Sequence, residues 1–133
     1  MQNLFSLYQM TIHIASLNSG SNGNCYYIGN ENEAVLVDAG LSCRETEKRM
    51  RQLELSLSRV KAIFISHEHA DHIAGMAVLS KKYQLPVYIT PDTLRKCPPK
   101  IERHLIHTFS EKENICLGNL SIIPFSKSHD AHD

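Results

Sequence analysis

A short apolar segment followed at once by a cluster of histidines constrains this chain more than any other feature. The run Ile63-Phe64-Ile65 predicts a buried β-strand, and the apolar segment 73–83 predicts a helix. Four side chains capable of binding a metal lie between them: His67, His69, Asp71 and His72. They are therefore expected in a tight loop, the metal loop, at the carboxyl end of a strand, where open α/β sheets place their ligands.

The spacing within this cluster predicts two neighbouring cation sites. Residues i and i+2 of an extended segment point to the same side, so His67 and His69 can bind one ion. After a turn at Ala70, Asp71 and His72 can face a second ion. Imidazole combined with carboxylate suits Zn, Mn or Fe, and two such ions can activate water and polarise a phosphoryl or carbonyl oxygen. A solvated loop or a structural metal site is the alternative, but structural zinc sites are usually rich in cysteine, and none lies nearby.

Length and composition indicate one globular domain in a reducing compartment. The chain has 133 residues, of which 42% are apolar and 21% charged. It contains no apolar run long enough to span a membrane, and residues 1–17 lack the basic start of a secretory signal. The four cysteines are widely spaced, which favours reduced thiols and a cytoplasmic location. Fourteen basic and fourteen acidic residues balance, so charge gives no support for a nucleic-acid partner.

Two further segments carry candidate functional residues. Residues 18–24 contain Gly, Ser and Asn with no apolar side chain, which predicts a turn-rich loop. A plain hairpin connection would explain it equally well. The functional interpretation is a loop whose amides and hydroxyls contact phosphate or substrate, through Ser19, Ser21, Asn22 and Asn24. Asp38 follows the predicted strand 34–37, and it could simply cap the next helix.

The remaining pattern predicts alternating strands and helices. Ser42 is expected to cap a helix that runs to about Leu53, with Glu45 as its capping-box partner. His104 and His107 are interpreted as ordinary surface or packing histidines. Further strands are predicted at 11–17, 25–28, 86–90 and as a pair within 115–125, and a helical turn at 91–97.

The segment His67-Glu68-His69-Ala70-Asp71-His72 resembles the HxHxDH signature of the metallo-β-lactamase superfamily. Segments 16–25, 36–42 and 126–131 are similar to one branch, the YycJ/WalJ-like hydrolases. The resemblance implies an α/β (α+β) fold, namely the N-terminal half of an αββα sandwich with a mixed, mostly antiparallel sheet and outer helices. It also implies two divalent ions, Zn or Mn, and a 5′-to-3′ exonuclease activity on double-stranded DNA.

The same resemblance assigns roles to individual residues. His129 would complete the ligand set of the first ion with His67 and His69. Asp38 would orient the metal loop from behind it, and Asp71 would be both a ligand and a catalytic residue that accepts a proton.

The superfamily domain is about twice as long as this chain, and its second half supplies a bridging Asp and another His. The expectation is therefore a truncated domain over residues 10–133, with 1–9 as a possible upstream extension. Such a chain should hold one ion or fewer and should self-associate through an uncovered sheet face.

Three alternatives remain open from the sequence. The first is a hydrolase of the same fold that acts on a thioester, lactone or β-lactam, since fold alone does not decide the substrate. The second is a metal-binding chain without catalytic activity. The third is an interaction module without metal.

Overall fold

The first three strands form an antiparallel meander from segments with alternating apolar side chains. In a computed structural model of the chain, which describes residues 11–66 and 69–124, these strands are β1 (His13–Asn18), β2 (Cys25–Gly29) and β3 (Ala34–Val37). The buried Asn30 closes the β2–β3 turn, because its side-chain oxygen accepts from the backbone amides of Asn32 and Glu33 at 2.7 Å each. The predicted strands at 25–28 and 34–37 are confirmed.

Parallel strands extend this meander into a six-stranded sheet. β4 (Val60–Phe64) pairs with β3, β5 (Val87–Ile89) pairs with β4, and β6 (Ile106–Thr108) pairs with β5. The order is β1-β2-β3-β4-β5-β6, and β7 (Ile115–Leu117) and β8 (Leu120–Ile122) form a separate hairpin. The expected mixed sheet is confirmed. Among the described strands, however, parallel and antiparallel pairings are equally numerous, because each crossover after β3 returns the chain in the same direction.

Helix α1 (Cys43–Gln52) begins and ends where its sequence predicts. The Ser42 hydroxyl accepts from the Glu45 amide at 3.1 Å, and Leu53 is the residue after the last turn. The Glu45 carboxylate accepts from Arg49 at 2.8 Å, one turn further along. The predicted N-cap is therefore confirmed.

The single helix predicted at 73–83 is wrong in two respects: helical structure begins earlier, so that Asp71 and His72 of the expected metal loop lie in a helix, and the helix is interrupted. The structure has two helices, α2 (Ala70–Ile73) and α3 (Met76–Tyr83), with a break before Gly75. The Gly75 amide donates to the Ala39 carbonyl at 2.8 Å, and a Cβ at Gly75 would lie 1.8 Å from the Leu41 carbonyl oxygen. Contact with residues 39–41 therefore interrupts a segment whose own pattern is continuous. The predicted helical turn after β5 is confirmed as α4 (Pro91–Lys96).

The sheet separates two apolar clusters. The larger one includes Leu36 and Ile63 of the sheet with Met50 of α1 and Leu79 of α3. The smaller one lies on the opposite face, where the β7–β8 hairpin packs on Val35, Ala62 and Phe64. Within the described ranges, no helix is both long and apolar enough to cross a bilayer.

Candidate metal-binding site

Three loops meet at the carboxyl ends of β3 and β4. They are residues 18–24, residues 38–41, and the segment that follows β4. The amide of Asp38 donates to the Phe64 carbonyl at 2.7 Å, and the amide of Ala39 donates to the His72 carbonyl at 2.7 Å. The amide of Asn24 donates to the Asp71 carbonyl at 2.6 Å. Backbone hydrogen bonds between loops thus position the candidate side chains.

Asp38 is the central acceptor of this region. Its backbone is left-handed, with φ of 69°, and the residue is 3% exposed. Its carboxylate accepts from the Ser66 amide at 2.8 Å, from the Ser66 hydroxyl at 2.7 and 2.9 Å, and from Nδ1 of His72 at 2.6 Å. These donors compensate the cost of burying the charge. A carboxylate only accepts hydrogen bonds, so Nδ1 of His72 carries the proton in this contact. In the neutral ring, Nε2 then has the free lone pair.

The orientation of His72 places its ring close to Asp71, another of the predicted metal ligands. Nε2 of His72 lies 3.7 Å from Oδ2 of Asp71. Zn–N and Zn–O bonds are about 2.0–2.2 Å each, so a separation below roughly 4.1 Å lets one cation contact both atoms. An Nδ1–carboxylate bond that fixes the tautomer is the usual arrangement behind a metal-binding histidine. The chemistry of this pair therefore fits a divalent cation.

The structure locates only part of the remaining predicted ligand set. His69 immediately precedes α2 and its carbonyl accepts from the His72 amide at 2.8 Å. His67 and His129 lie outside the described residues. Within 11–66 and 69–124, no three His, Cys, Asp or Glu side chains form a group that could hold a metal. The structure thus brings Asp71, His72 and Asp38 together and leaves the full predicted set untested.

The loop of residues 18–24 divides into an inner and an outer part. Ser19, Ser21 and Asn22 are exposed. Asn24 points inward, where its side-chain amide donates to Oδ2 and to the carbonyl of Asp71, both at 3.2 Å. The predicted phosphate-contacting loop is therefore accessible at three of its four candidate residues, while Asn24 is engaged with the metal loop.

Sequence reasoning missed Ser66 and Arg49. Ser66 lies directly before the histidine cluster, and its position after the strand could have indicated a partner for Asp38. The charge pattern of α1 places Arg49 on a solvated face. In the structure Nη1 donates to the Leu17 carbonyl and to Oδ1 of Asn18, both at 2.8 Å, so it anchors the start of the loop. Such a contact, 31 residues apart, leaves no local signal.

Burial also raises the pKa of one cysteine thiol beside the site. Cys25, on β2, is fully buried. Burial raises the pKa of this thiol from 9.0 to about 12, with a further contribution from the negative charge of Asp38. Cys25 is therefore a neutral packing residue at physiological pH rather than a nucleophile.

The comparison with known families decides the assignment. Residues 19–125 match the model of the metallo-beta-lactamase superfamily. The chain belongs to this superfamily. Asp38, Asp71 and His72 all lie within the matched range, and membership implies a site for divalent metal ions.

Two curated relatives narrow the similarity within the superfamily. The chain is 39% identical over 130 residues to the exodeoxyribonuclease YycJ of Bacillus anthracis, in an alignment that covers 92% of this chain and 47% of that protein. It is 34% identical over 120 residues to the exodeoxyribonuclease WalJ of Streptococcus pneumoniae D39, covering 86% and 45%. The chain therefore spans about half the length of the relatives it matches, and the resemblance inferred from its motifs is confirmed.

Solved structures support the fold alone. The chain aligns with BJP-1, a subclass B3 metallo-β-lactamase of Bradyrhizobium japonicum, with a TM-score of 0.72 at 15% identity. This alignment covers 89% of the chain and 50% of that structure. The metallo-β-lactamase fold expected from the sequence is thus confirmed, and the substrate has to be argued separately.

Proposed function

We propose that this chain is part of a metal-dependent hydrolase that cleaves nucleic-acid phosphodiesters, as a 5′-to-3′ exonuclease on double-stranded DNA. The observation that carries the proposal is the hydrogen bond of 2.6 Å between Asp38 and Nδ1 of His72, which turns Nε2 toward Asp71. The names of the two curated relatives, both exodeoxyribonucleases, support DNA as the substrate.

The proposed ligand sets follow the spacing of the histidine cluster and, for His129, the resemblance to the superfamily. His67, His69 and His129 would hold one ion, and Asp71 and His72 would hold the second. Zinc and manganese both suit these donors. When bound, such ions supply a Lewis acid and lower the pKa of water, which is the chemistry that phosphodiester hydrolysis requires.

The described residues contribute positioning and proton transfer. Asp38 and Ser66 keep the His72 ring in one orientation and one tautomer. Asp71 accepts a proton from the attacking water. Ser19, Ser21 and Asn22 are exposed on a loop beside this site, and their proposed role is to contact a phosphate of the substrate.

Charge and cysteine chemistry are consistent with this role. The formal net charge is zero, so local positive charge for a polyanion would come from the ions. All four cysteines are free thiols, two of them buried, which supports a cytoplasmic location.

A metal titration tests the site directly. Mn²⁺ or Zn²⁺ is titrated into the purified chain by calorimetry, and bound metal is counted by elemental analysis after dialysis. We expect one ion or fewer per chain, lost in His69→Ala and retained in His104→Ala, which removes an exposed histidine. Equal binding by both variants would contradict the proposed ligands, and two tightly held ions would show that the second set is stronger than proposed.

A substrate panel tests the reaction. The chain is supplied with Mn²⁺ and offered 5′-phosphorylated duplex DNA, single-stranded RNA, a thioester, a lactone and a β-lactam. We expect metal-dependent release of nucleotides from the 5′ end of the duplex. Faster turnover of RNA would make RNA, rather than DNA, the proposed substrate. Turnover of the thioester, lactone or β-lactam alone would replace the nuclease assignment with another hydrolase activity.

A further inference from the structure

Asn24 occupies a different position from the rest of its loop. Its side-chain amide donates to Oδ2 of Asp71 and to the Asp71 carbonyl, while its backbone amide donates to the same carbonyl. These contacts join residues that are 47 positions apart in the chain. A role in substrate contact alone does not account for these hydrogen bonds between Asn24 and the metal loop.

The chemistry of these contacts favours a role in orienting the Asp71 carboxylate. A carboxylate oxygen has two lone-pair sites, so Oδ2 of Asp71 can accept from Asn24 and still face Nε2 of His72, 3.7 Å away. An amide donor also holds the carboxylate against rotation about its Cβ–Cγ bond. Without that donor, Oδ2 could turn away from His72.

Asn24 is itself held rigidly, which a positioning group requires. Its Oδ1 accepts from the Gly20 amide at 3.1 Å, and its Nδ2 also donates to the Gly20 carbonyl at 3.0 Å. Asn18 supports the same loop by donating to the Gly23 carbonyl at 2.7 Å, and Arg49 of α1 fixes Asn18. The amide is therefore presented from a braced loop rather than from a mobile side chain.

We propose that Asn24 is a positioning residue for Asp71, whose carboxylate it orients toward the cation that Asp71 and His72 share. The inference rests on the proposed metal site and deepens it, since it moves Asn24 from contact with substrate phosphate to support of a ligand. Loss of a group that supports a metal ligand typically weakens metal affinity about 10- to 100-fold.

The first test separates positioning from loop stability. Mn²⁺ is titrated by calorimetry into the wild-type chain and into Asn24→Ala, Asn24→Gln, Asn18→Ala and His72→Ala, and each metal-free chain is melted. The binding step that His72→Ala lacks is assigned to the Asp71–His72 site, and the affinity of that step is compared across the other variants. Asn18→Ala loosens the same loop and keeps the amide of Asn24. We expect Asn24→Ala to weaken Mn²⁺ binding about tenfold, with partial recovery in Asn24→Gln. Asn18→Ala should change the affinity much less, by under about threefold, at a similar loss of melting temperature.

The second test observes the contact without metal. In ¹⁵N–¹H spectra of the metal-free chain, the side-chain amide signals of Asn24 should move when Asp71 is changed to Ala. They should stay in place in Asp92→Ala, which removes an exposed carboxylate.

The outcomes separate this inference from the proposed function. If the wild type binds Mn²⁺ but Asn24→Ala and Asn18→Ala weaken its affinity equally, the positioning role is overturned. The metal site then stands. Unmoved Asn24 signals in Asp71→Ala would overturn the positioning role in the same way. A wild-type chain without any Mn²⁺ binding step that depends on His72 overturns both the Asp71–His72 metal site and the positioning role.

Discussion

At the scale of single residues, the site depends on a buried carboxylate in an unusual backbone conformation. Asp38 combines a positive φ with three kinds of donor: a backbone amide, a hydroxyl and an imidazole. Aspartate tolerates the left-handed region better than most residues, because its short side chain forms local hydrogen bonds. Both oxygens are used: Oδ1 accepts from the amide and the hydroxyl of Ser66, and Oδ2 accepts from the Ser66 hydroxyl and from His72.

Asp38→Asn is expected to destabilise the chain although the shape is conserved. The asparagine side chain replaces one acceptor oxygen with an NH₂ group, and this group would face a hydrogen-bond donor of Ser66 or His72. We expect the free energy of unfolding to fall by about 1–3 kcal/mol, the cost of a buried donor without an acceptor. Urea denaturation followed by circular dichroism measures it. Asp92→Asn, at an exposed ion pair, should change the value by less than about 0.5 kcal/mol.

Cys25 should make the stability depend on alkaline pH. The pKa of the thiol is 9.0 in its ordinary state and about 12 in the folded chain. Between these values the unfolded chain releases this proton and the folded chain keeps it, so stability falls as pH rises from about 9 to about 12. Urea melts at about pH 8 and about pH 10.5 should show a larger loss for the wild type than for Cys25→Ala. Equal losses would show that the thiol environment does not differ between the two states.

At the scale of elements, helix ends and close backbone contacts determine where the loops lie. Ser42 begins α1 so that its last turns present Arg49 to the loop of residues 18–24. On the other side, Gly40 lies against the metal loop, and a Cβ there would be 1.8 Å from the Asp71 carbonyl oxygen. Each of these elements thus positions a loop of the site through close, specific contacts.

Ser42→Ala removes the N-cap of α1. The loss of this acceptor typically costs about 1 kcal/mol, which corresponds to a decrease of about 3 °C in melting temperature for a chain of this size. Differential scanning calorimetry measures it, with Ser58→Ala as an exposed control. A decrease no larger than that of the control would contradict the assigned cap.

Gly40→Ala should displace the metal loop. The new methyl group meets backbone atoms of Asp71 and Asn24, which cannot move aside without breaking the contacts between the loops. We expect a lower melting temperature and a loss of Mn²⁺ affinity. Gly20→Ala provides the comparison, because a Cβ there meets nothing within 4 Å and the cost is limited to its positive φ. Equal behaviour of the two variants would argue against the close approach.

At the scale of the whole molecule, the two faces of the sheet are covered unequally. Helices α1 and α3 cover one face with the larger apolar cluster. On the other face the hairpin β7–β8 packs over the centre, and Ile14 on the edge strand β1 is 71% exposed. Ile14 is in register with Ile28, which pairs in turn with Val35, so the exposed residue continues an apolar row.

This face is expected to mediate self-association of the chain. Contiguous exposed apolar surface favours association in water. Sedimentation velocity of the wild type should show oligomers, and Ile14→Glu should shift them toward monomer. Val78→Glu is the matched control, since Val78 is 60% exposed on α3, on the helical side. A monodisperse wild-type monomer with a cooperative melt would contradict the prediction.

Elements whose signals are local could be predicted from the amino-acid pattern alone. The Ser42 cap, the strand at Ala34–Val37 and the hairpin around Gly118 and Asn119 follow from hydrogen bonds and side-chain alternation within a few residues. The clustering of His67, His69, Asp71 and His72 after a predicted buried strand is equally local, and its resemblance to the HxHxDH signature indicates the superfamily without any knowledge of the tertiary geometry.

Contacts between distant segments could not be predicted from the sequence and are seen only in the tertiary structure. The break between α2 and α3, the short strand β6 and the bond between Asn24 and Asp71 have no adequate signal in their own stretch of sequence. Each depends on a partner from a segment distant in the sequence that the folded sheet brings close. Local pattern fixes backbone conformation and burial, whereas the support of a functional side chain comes from whichever loops the fold places beside it.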